Sequence, residues 1–153
     1  MSSRLLVSIL VVACAATAQK YAGPKPLKPD LPYLKHASTL VGTEAVEAKP
    51  QKKKDETVYA IDGANSAVRT PLAAPIFLFD SARIDPASLR LFQLESKNGH
   101  RELAVRSSEE PIRIEVAPLG GTLWKIEPSN GLEAGEYALM AGGSNRVFCF
   151  AVF

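Results

Sequence analysis

The sequence predicts an all-β fold, an antiparallel β-sandwich, and three observations carry that expectation. About eight or nine short runs rich in β-branched and aromatic residues follow one another from residue 57 onward at near-regular spacing. Gly, Pro, Asn and Asp punctuate them, and apolar positions show almost no helical periodicity. No internal repeat is visible, which sets a propeller or solenoid aside. With 153 residues the chain has room for one sizeable core, and its formal charge of +2 gives no basic face for a nucleic-acid partner.

The N-terminal stretch reads as an export signal. Arg4 gives a basic start, residues 5–13 are an apolar run, and Ala16-Thr17-Ala18 is the small-x-small pattern of a cleavage site. Cleavage after Ala18 is predicted, with residues 1–18 as signal peptide and a periplasmic or extracellular destination. The apolar run is shorter than the roughly 20 residues of a permanent span, so no stable membrane span is expected after signal removal. A second reading stays open: Val11-Val12-Ala13-Cys14 resembles the lipobox of bacterial lipoproteins, which implies a chain anchored through an acylated Cys14. Once the signal is removed Cys149 is the sole cysteine, so an intramolecular disulfide is excluded. No basic cluster flanks Cys149, and a buried, inert thiol is expected.

Residues 19–56 differ in composition. Pro24, Pro26, Pro29 and Pro32 alternate with Lys25, Lys28 and Lys35, and each proline removes an amide donor and fixes φ, so an extended, polyproline-like course is predicted. Tyr33, Leu34, Leu40 and Val41 are apolar enough to dock this segment on the domain; docking and a linker role both stay open. The run from Lys49 through Lys52, Lys53 and Lys54 to Asp55 and Glu56 reads as a solvated loop and a boundary, and only weakly as a site for an anionic polymer.

The sandwich itself is assigned to residues 57–153. Strands are expected at 57–61, at 67–70 as an edge, and at 76–79, where Ile76-Phe77-Leu78-Phe79 is apolar on both faces. Asp85-Pro86-Ala87-Ser88 suits a turn or one helical turn. Residues 89–95 and 101–106 flank Asn98-Gly99, two residues that tolerate the positive φ of a type I′ turn, so they form a hairpin. Over 112–116 Ile112, Ile114 and Val116 alternate with Arg113 and Glu115, a strand with one wet face. Pro118 to Gly121 is expected to turn the chain into a strand at 122–127. A terminal hairpin follows, with arms at 132–141 and 146–153 around Gly142-Gly143-Ser144-Asn145. Its second arm, Val147 to Phe153, is apolar on both faces and should be covered above and below.

At Leu132-x-Ala134-Gly135-x-Tyr137 the chain resembles the tyrosine corner of immunoglobulin-like and fibronectin type III-like sandwiches, and as a whole it looks like exported bacterial proteins ending in such a domain. The resemblance implies an Ig-like fold, with Tyr137 tied back to the turn by its hydroxyl, Gly135 opening the strand and Trp124 as a core aromatic. Ala134 stands where a proline is frequent, and the paired cysteines of antibody domains are absent. No activity is implied.

Chemistry-bearing constellations are scarce. His36 and His100 are the only histidines, read as surface residues, and neither is placed near a nucleophile. Cys149 with two distant histidines is too few for zinc or copper, and the adjacent pair Glu109-Glu110 is weak as a calcium or acid–base site. No catalytic, metal or cofactor residue is therefore assigned. The expected function is an exported, non-enzymatic binding or structural module that meets a protein or envelope polymer through loops or a sheet edge. Two alternatives accompany it: a small outer-membrane β-barrel, suggested by the terminal Phe153, and a polysaccharide-active enzyme working with carboxylates alone.

Overall fold

A computed structural model describes residues 20–54, 56–105 and 110–153. The expectations for residues 1–18, with Cys14, Ala16 and Ala18, and for Glu109 lie outside these residues. Within them the chain is all-β, and two antiparallel sheets pack face to face.

Thirteen strands are formed by the described residues: β1 Tyr33–His36, β2 Thr39–Gly42, β3 Glu44–Glu47, β4 Lys49–Lys53, β5 Glu56–Asp62, β6 Arg69–Thr70, β7 Phe77–Asp80, β8 Arg90–Lys97, β9 His100–Val105, β10 Ile114–Gly120, β11 Leu123–Pro128, β12 Gly135–Met140 and β13 Arg146–Val152. The first sheet has the order β10-β11-β7-β1-β2. The second runs β3-β13-β12-β8-β9-β5-β4, with β6 lying parallel to the end of β13.

The two ends of that second path, β3 and β4, are consecutive in the chain and separated only by Ala48. Strand 44–53 thus bonds β13 with its first half and β5 with its second. At the join the Ala48 amide donates to the Asn145 carbonyl, just before β13, at 2.8 Å. The second sheet is therefore rolled into a ring of six antiparallel strands, counting β3 and β4 as one.

Ring closure explains the apolar second arm of the terminal hairpin. From β13, Phe148, Phe150 and Val152 point to the core between the sheets, where they meet Leu34, Phe77, Phe79 and Ile126. Phe77 lies edge-on to Phe150, with ring centroids 4.8 Å apart. Val147 and Cys149 point the other way, into the ring, among Ala48, Ile61, Leu94, Leu103 and Ala138. A ring this small leaves room only for compact side chains, which accounts for two alanines and a cysteine at its centre.

Segment 19–56, expected to be extended, supplies four strands. Tyr33 and Leu34 of β1 are buried and pair with Leu78 and Phe77, while the Thr43 hydroxyl donates to the Pro32 carbonyl at 2.8 Å. The lysine-rich run is a strand rather than a loop, because it satisfies the edge of β5 while its lysines stay in water. Proline-rich residues 20–32 lie outside strands and are pinned at Asp30, whose carboxylate accepts amide hydrogens from Ala82, Arg83 and Ile84.

Other differences are local. Pro118 to Gly120 continue β10 instead of turning, since an edge strand tolerates proline; only Gly121-Thr122 turn. Ile112 does not join β10 but bridges Leu91 of the ring. Asn98 and Gly99 have φ of 50° and 81°, the left-handed pair that closes the β8–β9 hairpin. Asp85 caps a single 3-10 turn, Pro86–Ser88.

Candidate functional site

The ring has two unlike ends. Alternation along β12 carries the inward positions from Glu136 through Ala138 to Met140, and along β8 from Leu94 through Phe92 to Arg90. One end is closed by charge and the other is open and aromatic.

At the closed end stands Arg101 of β9, its side chain fully buried. Its guanidinium forms a bidentate pair with Glu44 of β3, at 2.8 and 2.9 Å. Nε donates to the Gly63 carbonyl at 2.9 Å and Nη2 to the Asp62 carbonyl at 2.8 Å. Gly63 has φ of 84°, a left-handed turn that brings these two carbonyls to the cation. Glu136 of β12 lies 4.0 Å from Nη1 and accepts the Ser66 amide at 3.0 Å. The hydrogen bonds from Arg101 outweigh burial and hold the Glu44 carboxyl below its ordinary range; Glu44 in turn raises Arg101. Such a network is a satisfied plug, with its donors committed to the protein.

Cys149 lies beneath this plug. Burial pushes its thiol up to about 12, and the opposing effect of Arg101 does not offset it, so the thiolate that nucleophilic chemistry needs is not formed at neutral pH.

The open end is a cavity of about 410 Å³ whose floor is Tyr59 of β5, Phe92 of β8 and Met140 of β12, all half-buried. Arg90 and the turn 142–145 form its wall. Arg90 is held in place by donating Nη1 to the Ala87 and Leu89 carbonyls at 2.7 and 2.9 Å. Its volume falls within the roughly 300–1,000 Å³ of ordinary ligand pockets. Chemically the mouth offers aromatic faces for stacking and fixed polar groups for orientation.

The residues singled out from sequence are dispersed. Tyr137 is buried in the inter-sheet core, and its hydroxyl donates to the Glu133 carbonyl at 2.8 Å. Gly135 opens β12, where a Cβ would stand 3.1 Å from Gln93 Nε2. Trp124 is half-buried at the margin of that core. His100 lies on the outer face of the ring, 2.8 Å from Glu102, which also attracts Lys97 and Lys53. The His100 bond outweighs desolvation and lowers Glu102. His36 ends β1 on the first sheet. Neither histidine, nor Glu110, lies at the mouth.

Sequence reading did not find Arg101, Glu44, Asp30 or the mouth. For Arg101 a signal was present: the Asn-Gly turn fixes the hairpin register, which puts 101 on the face of Leu103, and a charge on an apolar face implies a buried partner. Partners from β3 and β12 are far away in sequence, and nothing local identifies them.

Together the architecture and the mouth define a class: an all-β domain with a plugged ring that presents a small aromatic pocket. The chain matches no protein-family model, no curated protein and no solved structure.

Proposed function

We propose that the protein is an exported, non-enzymatic binding module of the cell envelope or extracellular space, and that its binding element is the aromatic mouth of the ring. The observation that carries this reading is the Tyr59–Phe92–Met140 floor, an apolar surface kept open on a rigid scaffold while the opposite end is sealed. Apolar side chains left together at a surface mark contact with a ligand or partner. Export rests on residues 1–18 and the cleavage signal at Ala16 and Ala18, with anchoring through Cys14 as its variant. The Tyr137–Glu133 bond supports kinship with the Ig-like and fibronectin type III-like sandwiches, whose tyrosine corner has the same tie.

Among the described residues no His, Cys, Asp or Glu lines the mouth, so what it offers a ligand is contact rather than acid–base groups. Every strand among the described residues except the continuous 44–53 stretch has two to eight residues, short of the roughly 9–11 needed to cross a bilayer, which favours this reading over an outer-membrane barrel. Among the described residues no helix is long and apolar enough to cross a membrane.

Hydroxyl-radical footprinting of the purified protein, with and without the polymer fraction of a disrupted cell envelope, tests the reading. Protection should centre on Met140, Phe92 and Tyr59. Protection elsewhere, or none, would overturn it, as would hydrolase turnover lost on changing His100 or Cys149.

A further inference from the structure

Residues 20–30 build a second cavity, on the first sheet, that shares no lining residue with the mouth. They run past the end of β7 and the turn between β10 and β11, and enclose about 420 Å³ against Leu119 and Leu123. This stretch is a shaped wall rather than a loose tail. The Tyr21 hydroxyl donates to the Pro24 carbonyl at 2.8 Å, and the Tyr21 ring lies so close to Gly23 that a Cβ there would run into it. At the far end the Asp30 amide donates to the Asp80 carbonyl at 2.8 Å, and the Asp30 carboxylate holds the amides of Ala82, Arg83 and Ile84.

The charge of this wall is cationic. Lys20 and Lys25 both line the cavity, Lys28 follows three residues on, and all three are exposed without a carboxylate partner among the described residues. The acids close by are already engaged: Asp80 of the lining accepts the Thr122 hydroxyl, and Asp30 is spent on backbone amides. Tyr21, Pro26, Leu119 and Leu123 give the cavity apolar walls. Beside them Leu27, set between Lys25 and Lys28, is 91% exposed, where Val41, Leu72 and Phe153 are 41–60% exposed. One exposed leucine is ordinary by itself. Flanked by unpaired lysines and an apolar cationic cavity, it has the composition of a surface that lies on a membrane interface.

We propose that this face seats on an anionic phospholipid bilayer, with a lipid phosphate between Lys20 and Lys25 and Leu27 entering the headgroup–acyl boundary. A soluble anion would use the lysines and leave Leu27 without a role, whereas a bilayer uses both. The proposal concerns a different face from the mouth and does not depend on it. Chain length agrees with the placement: where the chain is anchored through Cys14, only residues 15–19 separate the acyl group from Lys20, which then lies within about 20 Å of the bilayer.

Titration with phosphatidylglycerol and phosphatidylcholine vesicles, read by flotation, tests the proposal. The exported chain is used, with Cys14→Ser throughout so that no acyl group contributes. All variants then share one N-terminus, and their differences report this face alone. The chain should float with phosphatidylglycerol, not with phosphatidylcholine, and less as salt is raised. Lys20→Gln/Lys25→Gln/Lys28→Gln should lose roughly 100-fold in affinity, about fivefold for each lysine, and Leu27→Ser about tenfold, each at an unchanged melting temperature. The matching change in the lysine-rich strand, Lys49→Gln/Lys52→Gln/Lys53→Gln, should stay within about twofold of the parent. Equal losses in the two triple variants would show that net charge alone is read, and overturn the site. Displacement by millimolar inorganic phosphate with Leu27→Ser silent would assign the cavity to a free anion and overturn the bilayer, as would an absence of flotation with phosphatidylglycerol.

Discussion

Individual side chains fix this domain at three points. Tyr137→Phe removes only the bond to the Glu133 carbonyl, and urea unfolding should show a loss of about 1 kcal/mol; an unchanged midpoint would deny the hydroxyl its structural role. Arg101 carries more. Glu44→Ala leaves a buried guanidinium without its bidentate partner, expected to cost about 3 kcal/mol, the low end for breaking such a pair because Glu44 is 26% exposed. Replacing both partners, Arg101→Met with Glu44→Leu, should be much closer to neutral in the same measurement, since no charge is then stranded. Acid stability follows from the same contacts. Hydrogen bonding to Arg101 outweighs burial at Glu44, and at Asp30 burial is outweighed by three backbone amides and Arg83, so both carboxyls bind a proton less tightly folded than unfolded. Their contribution is complete above the unfolded values near about 4 and is lost as pH falls through the lower folded ones. Melting temperature should therefore drop steeply below about pH 4, and Asp30→Asn should flatten part of that slope.

The strands were legible in the sequence wherever the pattern was local. The Asn98-Gly99 hairpin, the doubly apolar 76–79 and 147–153 runs and the Asp85-Pro86 turn carry their signals in adjacent residues. Segment 33–53 was not legible as strands, because Pro50, its lysines and the proline run that leads into it argue against regular structure and its pairing partners β5, β7 and β13 lie elsewhere in the chain. Tertiary pairing overrides weak local preference in such cases. Ala48 shows what the join demands: it is 4% exposed and its methyl faces the crowded interior of the ring. Ala48→Leu should overpack that space and cost about 1–3 kcal/mol by urea unfolding, whereas Ala45→Leu, exposed on the neighbouring β3 position, should be nearly silent.

For the whole molecule, two sheets with a shared core were readable from strand count and double-faced apolar runs, but closure of one sheet was not. A period-two pattern says that a strand is covered on both faces; whether the second cover is another layer or the far wall of a ring depends on long-range pairing. The binding mouth was hidden for the same reason. Tyr59, Phe92 and Met140 lie on three strands, and only closure brings them to one rim, so no motif announces them. Closure also places a sealed, charged end opposite an open, aromatic one, on which the proposed binding role depends. Native-state hydrogen exchange at the Ala48 amide tests this arrangement most directly, because that donor holds the Asn145 carbonyl, just before β13, at the point where strand 44–53 passes from β13 to β5. Exchange at Ala48 only through global unfolding, at the same free energy as the central amides of β12, is the expected result. Exchange at the rate of a frayed strand edge would contradict the closed ring.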